Sequence, residues 1–508
     1  MSVQKHNRQI SKLHSVKELS ADVDELYSQL QKYHPRLYQY KSKVVLDFKF
    51  DSLKQSLTPM NSKDFYKKTV QVVSQMGHGH TGITPPKKIK TKEERKLYRR
   101  QKNNFNTLDF EYLNKQLFIS KTKEKDGALL FAEVLKINNE DVSVLTKKYR
   151  KIFSSDGYNT TFYDKVIGKH FKKYFYRDKG ELDSISLTLQ IEDSTFIKTF
   201  RTILRKKSTK NSLKKKSDSI KKDATRKKPV ILSKLERKKR RKFNKIHGYN
   251  YSEKTYTRNL SFIGKDSTVA YMKIRGFGNG SYKEFYEQTF QTLKNRNTEN
   301  LIIDLRYNGG GRAAEIRDLY AYLTDKEFQF FTKSEVKTRF PVLNSVYTNT
   351  NNLFSKIVVG IGSPVIVAYR VFKVKKENNQ LYFNYKTKIK EPNPLNFKGK
   401  IYVLINGYSF SASAILATYL KANQRAIFVG EETGGAYNGT VAGFTRVHDL
   451  KHSKVRVHFG LMQIQTPFLQ KPDGFGVKPN LAISPTLKDR KAKIDPELDW
   501  VLKDIVSQ

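Results

Sequence analysis

The sequence predicts a multidomain α/β protein whose C-terminal half is built on a layered, mostly parallel sheet. Three observations carry this expectation. The chain has 508 residues, more than a single hydrophobic core accommodates. From about residue 255, apolar strand-like runs alternate with amphipathic helical stretches. Ahead of them lie a helically periodic N-terminal region and, at about 204–250, an abrupt change to basic, polar composition.

Residues 1–100 are expected to form a helical domain. Val23, Leu26, Tyr27 and Leu30 recur at helical spacing, with Ser20 and Asp22 as candidate caps. The pair His34-Pro35 ends that pattern, because a residue before proline disfavours the helical region. A second helix is expected through Phe65, Val70, Val73 and Met76, ending in GHGHTG at 77–82. Residues 101–203 suggest a small mixed domain, in which Phe131, Val134, Leu135 and Ile137 read as a strand before the turn NNED. The stretch 204–250 is dominated by Lys and Arg with few large apolar residues. It is expected to be an exposed, mobile insertion, either a solvated loop or a contact for polyanions.

In the last segment, 251–508, TVAYMKI is expected as a strand and YKEFYEQTFQTLKNR as a helix. NLIIDLR and IYVLIN are continuous apolar strands, SASAILATYLKAN a helix, and AIFVG a further strand.

Composition bounds the function. Hydrophobic residues make up 38% of the chain, enough to build cores. The net charge of +49 attracts polyanions without naming one. With no cysteine, disulfides, thiolate metal sites and a Cys nucleophile are excluded. The first thirty residues contain no apolar h-region, and no stretch reaches the ~18 apolar residues of a spanning helix. The chain is expected to be soluble as it stands.

Three local signals carry chemistry. In NGYSFSASAILATYL a buried strand runs through a small-residue turn into a helix, with Ser409, Ser411 and Ser413 at the junction. A hydroxyl there meets the positive end of the helix, either as an N-cap or as a reactive group. In NLIIDLRYNGGGR a strand ends in three glycines, which permit positive φ and close approach of N–H groups to a substrate oxygen. In GHGHT, His78 and His80 offer a base of near-neutral pKa for a hydroxyl nucleophile, and no third ligand at metal spacing accompanies them.

The ordered set NLIIDLRYNGGG, SFSASAILA, RAIFVGEETGG and DGFGVKPNLAISPT resembles the catalytic domain of the tail-specific (C-terminal processing) serine peptidases, over roughly 255–508. The resemblance implies a ClpP/crotonase-like catalytic fold, a PDZ-like module at 101–203 and no metal or organic cofactor. It makes Ser411 the nucleophile. It assigns the oxyanion hole to Ala412 and to Gly309 or Gly310. Bacterial members use a lysine base, but Ala436 stands at its place and no Lys occurs between Lys421 and Lys451. The histidine segment resembles the tricorn core instead. By that likeness His80 is the base and Asp473 its orienting acid, with His78 the second candidate base and Glu431 and Glu432 alternative acids. Ala414 replaces a glutamate usual in the family, a difference expected to be structural. The implied activity is endopeptidase cleavage of peptides or proteins through an acyl-enzyme, in the cell envelope, the periplasm or outside the cell. The alternative is an inactive homologue that binds peptides or envelope polymers.

Overall fold

The structure, a computed structural model, describes residues 2–123, 127–205, 233–264, 266–278, 280–339, 341, 374–385 and 387–507. The N-terminal segment is helical: α1 (Val3–Ser11), α2 (Val16–Tyr33), α3 (Lys43–Gln55) and α4 (Ser62–Ser74). Helix α2 starts at a capping box between Ser15 and Glu18 and stops at Tyr33, two residues before Pro35. The caps anticipated at Ser20 and Asp22 lie inside this helix. Asp22 is buried, and its carboxylate accepts the N–H groups of His452 and Ser453 from the far end of the chain. The apolar faces of these helices, Leu19, Val23, Leu26 and Leu30 among them, do not close a core alone. They pack on Leu450, Val455, Val457, Phe459 and Leu461.

Strand β1 (Gly82–Thr84) and helix α5 (Lys92–Arg100) lead into a second unit. Its strands are β2 (Gln101–Asn103), β3 (Asp109–Leu113), β4 (Gln116–Lys121), β5 (Glu133–Ile137), β6 (Glu140–Asp141), β7 (Ser184–Ile191) and β8 (Ser194–Leu204). They form an antiparallel sheet in the order β2-β8-β7-β5-β4-β3, with β6 on β5. The expected strand and turn are present, Asn138 and Asn139 taking the left-handed conformation that such a turn needs. Helices α6 (Val142–Tyr149) and α7 (Thr161–Lys179) cover this sheet, with Leu145, Ile167 and Phe171 in its core.

Of the basic stretch, 206–232 lie outside the described residues. The remainder differs from the expected mobile insertion. Lys234–His247 form helix α8, which opens with a capping box between Ser233 and Glu236 and closes on left-handed Gly248. Its last turn seats Ile246 in the hydrophobic core of the C-terminal sheet.

After the short hairpin β9 (Tyr249–Asn250) and β10 (Thr255–Tyr256), the main C-terminal sheet begins with β11 (Arg258–Ile263) and β12 (Val269–Ile274). Helix α9 (Tyr282–Asn295), strand β13 (Asn300–Asp304) and helix α10 (Ala313–Tyr320) follow. A small sheet of β14 (Ser334–Val336), β15 (Val374–Glu377) and β16 (Gln380–Phe383) precedes β17 (Lys400–Ile405), α11 (Ala412–Ala422) and β18 (Ile427–Gly430). Next come the long hairpin β19 (Thr440–Asp449) and β20 (Arg456–Ile464), strand β21 (Leu481–Ala482) and helices α12 (Leu487–Ala492) and α13 (Pro496–Val506). The main sheet runs β11-β12-β13-β17-β18-β21 and is parallel from β12 onward. Helices α9, α10 and α11 bury one face, and α13 contributes Val501 to the other. This two-sided burial is why β13 and β17 read as unbroken apolar runs.

Candidate active site

Three segments far apart in sequence converge at the C-terminal ends of β13 and β17. At the end of β13, Asp304 is fully buried and Arg306 nearly so. Burial alone would raise the Asp304 carboxyl, but the Arg306 guanidinium and Lys273 hold it well below the usual range. Arg306 also reaches Asp495 at 2.7 Å and Glu497 at 3.2 Å, which ties the start of the glycine run to α13. Asn308 then accepts the Gly310 N–H (2.9 Å) and donates to the Ile274 carbonyl (2.9 Å).

Gly310 has φ +96°, and a Cβ there would lie 2.8 Å from the Ser411 Cβ and 2.9 Å from the Ala412 nitrogen. The glycine run therefore lies directly against the serine turn, an approach that no side chain permits. Its outer edge is occupied: Phe277 donates to the Gly310 carbonyl (2.9 Å) and accepts from Arg312 (3.0 Å). The Gly310 N–H is committed to Asn308. The N–H groups of Gly309 and Ala412 have no hydrogen-bond partner among the described residues.

The three serines separate cleanly. Ser409 is buried, donating to the Leu305 carbonyl (2.8 Å) and accepting the Asn406 N–H (3.1 Å), a structural pattern. Ser413 is fully buried in α11. Ser411 is half-buried, stands at the N-cap position of α11 without a side-chain capping bond, and has φ +56° and ψ −122°, a conformation that costs a side-chain-bearing residue about 1–3 kcal/mol. Its Oγ lies 3.0 Å from the Nε2 of His80.

His80 sits on a tight turn between α4 and β1, closed by the Thr81 N–H on the His78 carbonyl (2.9 Å). Strand β1 pairs with β20, Gly82 opposite His458, which fixes the exit of this turn. Burial, with a smaller contribution from His458, pushes the His80 imidazole down to about 4. It is therefore neutral near pH 7 and able to accept a proton. His78 turns the other way. It is buried between the rings of His34 (4.4 Å) and Tyr40 (5.0 Å) and faces the N-terminal helices.

Asp473, expected as the orienting acid, has no hydrogen bond to His80 among the described residues. Its carboxylate takes the Gln39 amide (2.8 Å) and the Gly474 N–H (2.7 Å), because the 473–476 turn wraps its own backbone around it. Glu431 is held in a buried pair with Lys165 (2.8 Å), and Glu432 accepts the Gly476 N–H (2.6 Å). Among the described residues, no carboxylate is hydrogen-bonded to His80.

One acid that the sequence reading passed over stands behind the histidine turn. Asp156 is buried, and its Oδ1 accepts the Gly79 N–H at 2.8 Å. Burial pushes its carboxyl up to about 6, against the hydrogen bond from Gly79. Asp156 belongs to a connection before α7 that ties the site's loops together. Gly157 donates to the Gly77 carbonyl (2.8 Å) and Tyr158 to the Gly474 carbonyl (2.7 Å). Ser155 donates to the Gly434 carbonyl (2.9 Å) and Asn159 to the Thr433 carbonyl (3.0 Å). Ala436, at the place of the missing lysine, is buried within this packing and bridges to Gly476.

Comparison with known proteins agrees with this architecture. Residues 268–483 match the model of peptidase family S41. No curated protein matches the chain. Among solved structures, mature CPAF complexed with lactacystin is 14% identical with a TM-score of 0.62, covering 97% of this chain and 98% of its own. Mature CPAF by itself is 15% identical with a TM-score of 0.60, covering 96% of this chain and 97% of its own. A CPAF mutant is 15% identical with a TM-score of 0.62 over the same shares. At such identities these likenesses establish a shared fold across nearly the whole chain. The family match to residues 268–483, the segment that carries Ser411 at a strand-to-helix turn, indicates a serine-type peptidase domain of peptidase family S41 in this part of the chain.

Proposed function

We propose that the chain is a serine endopeptidase that works through an acyl-enzyme, with Ser411 as nucleophile and His80 as general base. The observation that carries this reading is the 3.0 Å approach of the His80 Nε2 to the Ser411 Oγ. A strained backbone at Ser411 supports it, since such strain collects at reacting residues.

In the first half-reaction neutral His80 takes the Ser411 proton as Oγ attacks the scissile carbonyl carbon. The negative charge passes to the carbonyl oxygen. The Gly309 and Ala412 N–H groups hold that oxygen, each donor lowering the barrier by about 2.7–4 kcal/mol. Gly310 contributes through its close packing rather than through its N–H. The intermediate collapses as protonated His80 gives its proton to the leaving amine, and the Ser411 ester remains. Water, deprotonated by His80, then attacks the ester. The acid leaves, and the proton returns to Ser411. Asp156 acts indirectly, holding the histidine turn by its Gly79 contact.

Peptides or proteins are the substrates. The antiparallel unit at 101–205 occupies the place of a PDZ-like module, and we assign it recognition of a substrate segment by analogy of position. Among the described residues no helix is long and apolar enough to cross a membrane. The envelope or extracellular location rests on the family resemblance.

The test is labelling with a fluorophosphonate serine probe. Wild-type protein is expected to label at one site, and Ser411→Ala and His80→Ala to lose labelling while remaining folded. Labelling that survives Ser411→Ala would refute the assignment.

A further inference from the structure

We propose that helix α8 is an exosite that captures acidic segments of polypeptide substrates and presents them to the active site; this rests on the peptidase reading above. The helix carries eight Lys or Arg side chains and one Glu between Lys234 and His247. Residues 233–243 are exposed around the whole helix. Lys234 and Lys238, Arg237 and Arg241, Lys238 and Lys242, and Arg241 and Lys245 stand four residues apart, so like charges face one another along it. Glu236 is committed to the capping box with Ser233. Among the described residues Lys238, Arg241 and Lys242 form no ion pair. A helix of this kind loses stability to its own charge and recovers it when acidic groups pair with it.

Position selects the partner. The C-terminal turn of α8 is hydrogen-bonded to Ser281 and Arg258 at the edge of the main C-terminal sheet. Ser281 donates to the Lys245 carbonyl (3.0 Å), and Arg258 donates to the Ile246 (2.6 Å) and Lys245 (2.9 Å) carbonyls. The loop entering Ser281 contains Phe277, which pairs with Gly310 and Arg312 of the glycine run. Thus the cationic helix stands one loop away from the backbone that lies against Ser411. A chain threaded through this site and carrying Asp or Glu residues meets α8 on the same molecule, and charge attraction raises its local concentration. A lipid surface fits poorly. Leu235 and Phe243 are exposed, but Phe243 packs on His247 and Tyr256 and Leu235 stands among the charges, which leaves no broad apolar stripe to enter a membrane.

The experiment compares a neutral fluorogenic peptide with the same peptide bearing an oligoglutamate tail, on the full chain and on its Lys238→Glu/Arg241→Glu/Lys242→Glu variant. These residues lie outside the catalytic machinery, and reversal creates new pairs within the helix, so folding is retained. The tailed peptide is expected to show a KM about tenfold lower than the neutral one at low salt, with kcat unchanged. That advantage should vanish at about 500 mM salt and in the variant. Equal KM values for the two peptides, or an advantage kept by the variant, would overturn the proposal. Binding of the labelled oligoglutamate peptide to the Ser411→Ala protein, read by anisotropy, gives a measure free of turnover. Helix-dependent binding without cleavage would fault the peptidase reading while upholding the acidic-segment surface. Duplex DNA that binds α8 and resists displacement by the oligoglutamate peptide would overturn it in favour of a nucleic-acid surface.

Discussion

Asp156 grips the backbone of Gly79 at 2.8 Å, one residue before the imidazole that meets Ser411. The contact is structural in kind and catalytic in consequence. A Cβ on Gly79 would stand 2.4 Å from the Phe410 ring, so the turn is held from one side by a carboxylate and from the other by the residue next to the nucleophile.

Removing that grip should act on rate. Asp156→Ala is expected to slow probe labelling of Ser411 by about 10- to 100-fold, because small displacements of a base are expensive. Asp156→Asn keeps an acceptor for Gly79 and should retain most of the rate. The pH profile separates positioning from general damage. Asp473 and Tyr40 face the Asp156 carboxyl, which burial raises to about 6, whereas His80 is lowered to about 4. Protonated Asp156 still offers an oxygen to Gly79, as Asn does, so labelling should decline in a single step near 4 as pH falls and His80 takes up its proton. A step near 6 that disappears in Asp156→Asn would instead give the Asp156 charge itself a part in the rate.

Gly310→Ala tests the close approach of the glycine run to the nucleophile. Its methyl would enter space held by the Phe410 carbonyl, Ser411 and Ala412, at a φ that L-residues rarely adopt. The oxyanion donors on either side should be displaced, costing about 10²-fold in labelling rate. Circular dichroism should show the fold unchanged. A variant as reactive as wild type would remove Gly310 from the site's architecture.

Acid should weaken the fold through its buried histidines. Burial places His34 well below its ordinary value and lowers His78 and His80 to about 4. A lowered histidine contributes stability that is present above about 6.5, its unfolded value, and is lost as pH falls toward the folded value. Asp156 has the opposite sign, since its raised carboxyl favours the fold as pH drops through about 6. Burial also lowers His14, His170, His247 and His458, and together the histidines outweigh the raised carboxyls of Asp156, Glu315 and Glu497. The melting temperature should fall by a few degrees from pH 7 to pH 5, with proton uptake on unfolding measurable by calorimetry in buffers of different ionisation enthalpy. A flat profile would contradict the buried neutral imidazoles.

Much of the catalytic half was legible because two-sided burial writes itself as unbroken apolar runs: β12, β13, β17 and β18 stand where the sequence places them. The motifs singled out Ser411 and His80, and the fold brings these two side chains within 3.0 Å of each other. The hairpin β19–β20 was not, although its alternation is visible in retrospect over Val455, Val457, Phe459 and Leu461. Helix α8 was hidden by its charge, although Ser233 and Glu236 already spell a helix start. Asp156 was beyond reach for a different reason. It lies 77 residues from its partner in a polar turn, and only the tertiary fold brings the two together. Asp473 shows the converse, a motif position whose carboxylate serves its own loop.

The N-terminal helices complete their core with β20, and Ser411 meets a histidine 331 residues upstream. Closing so long a loop is entropically costly and must await the second partner. During synthesis the histidine arm leaves the ribosome early and waits, half-built, for the hairpin made near the end. Until that hairpin is made and docked, nothing holds the His80 turn against Ser411, so the pair can form only after nearly the whole chain has been synthesised.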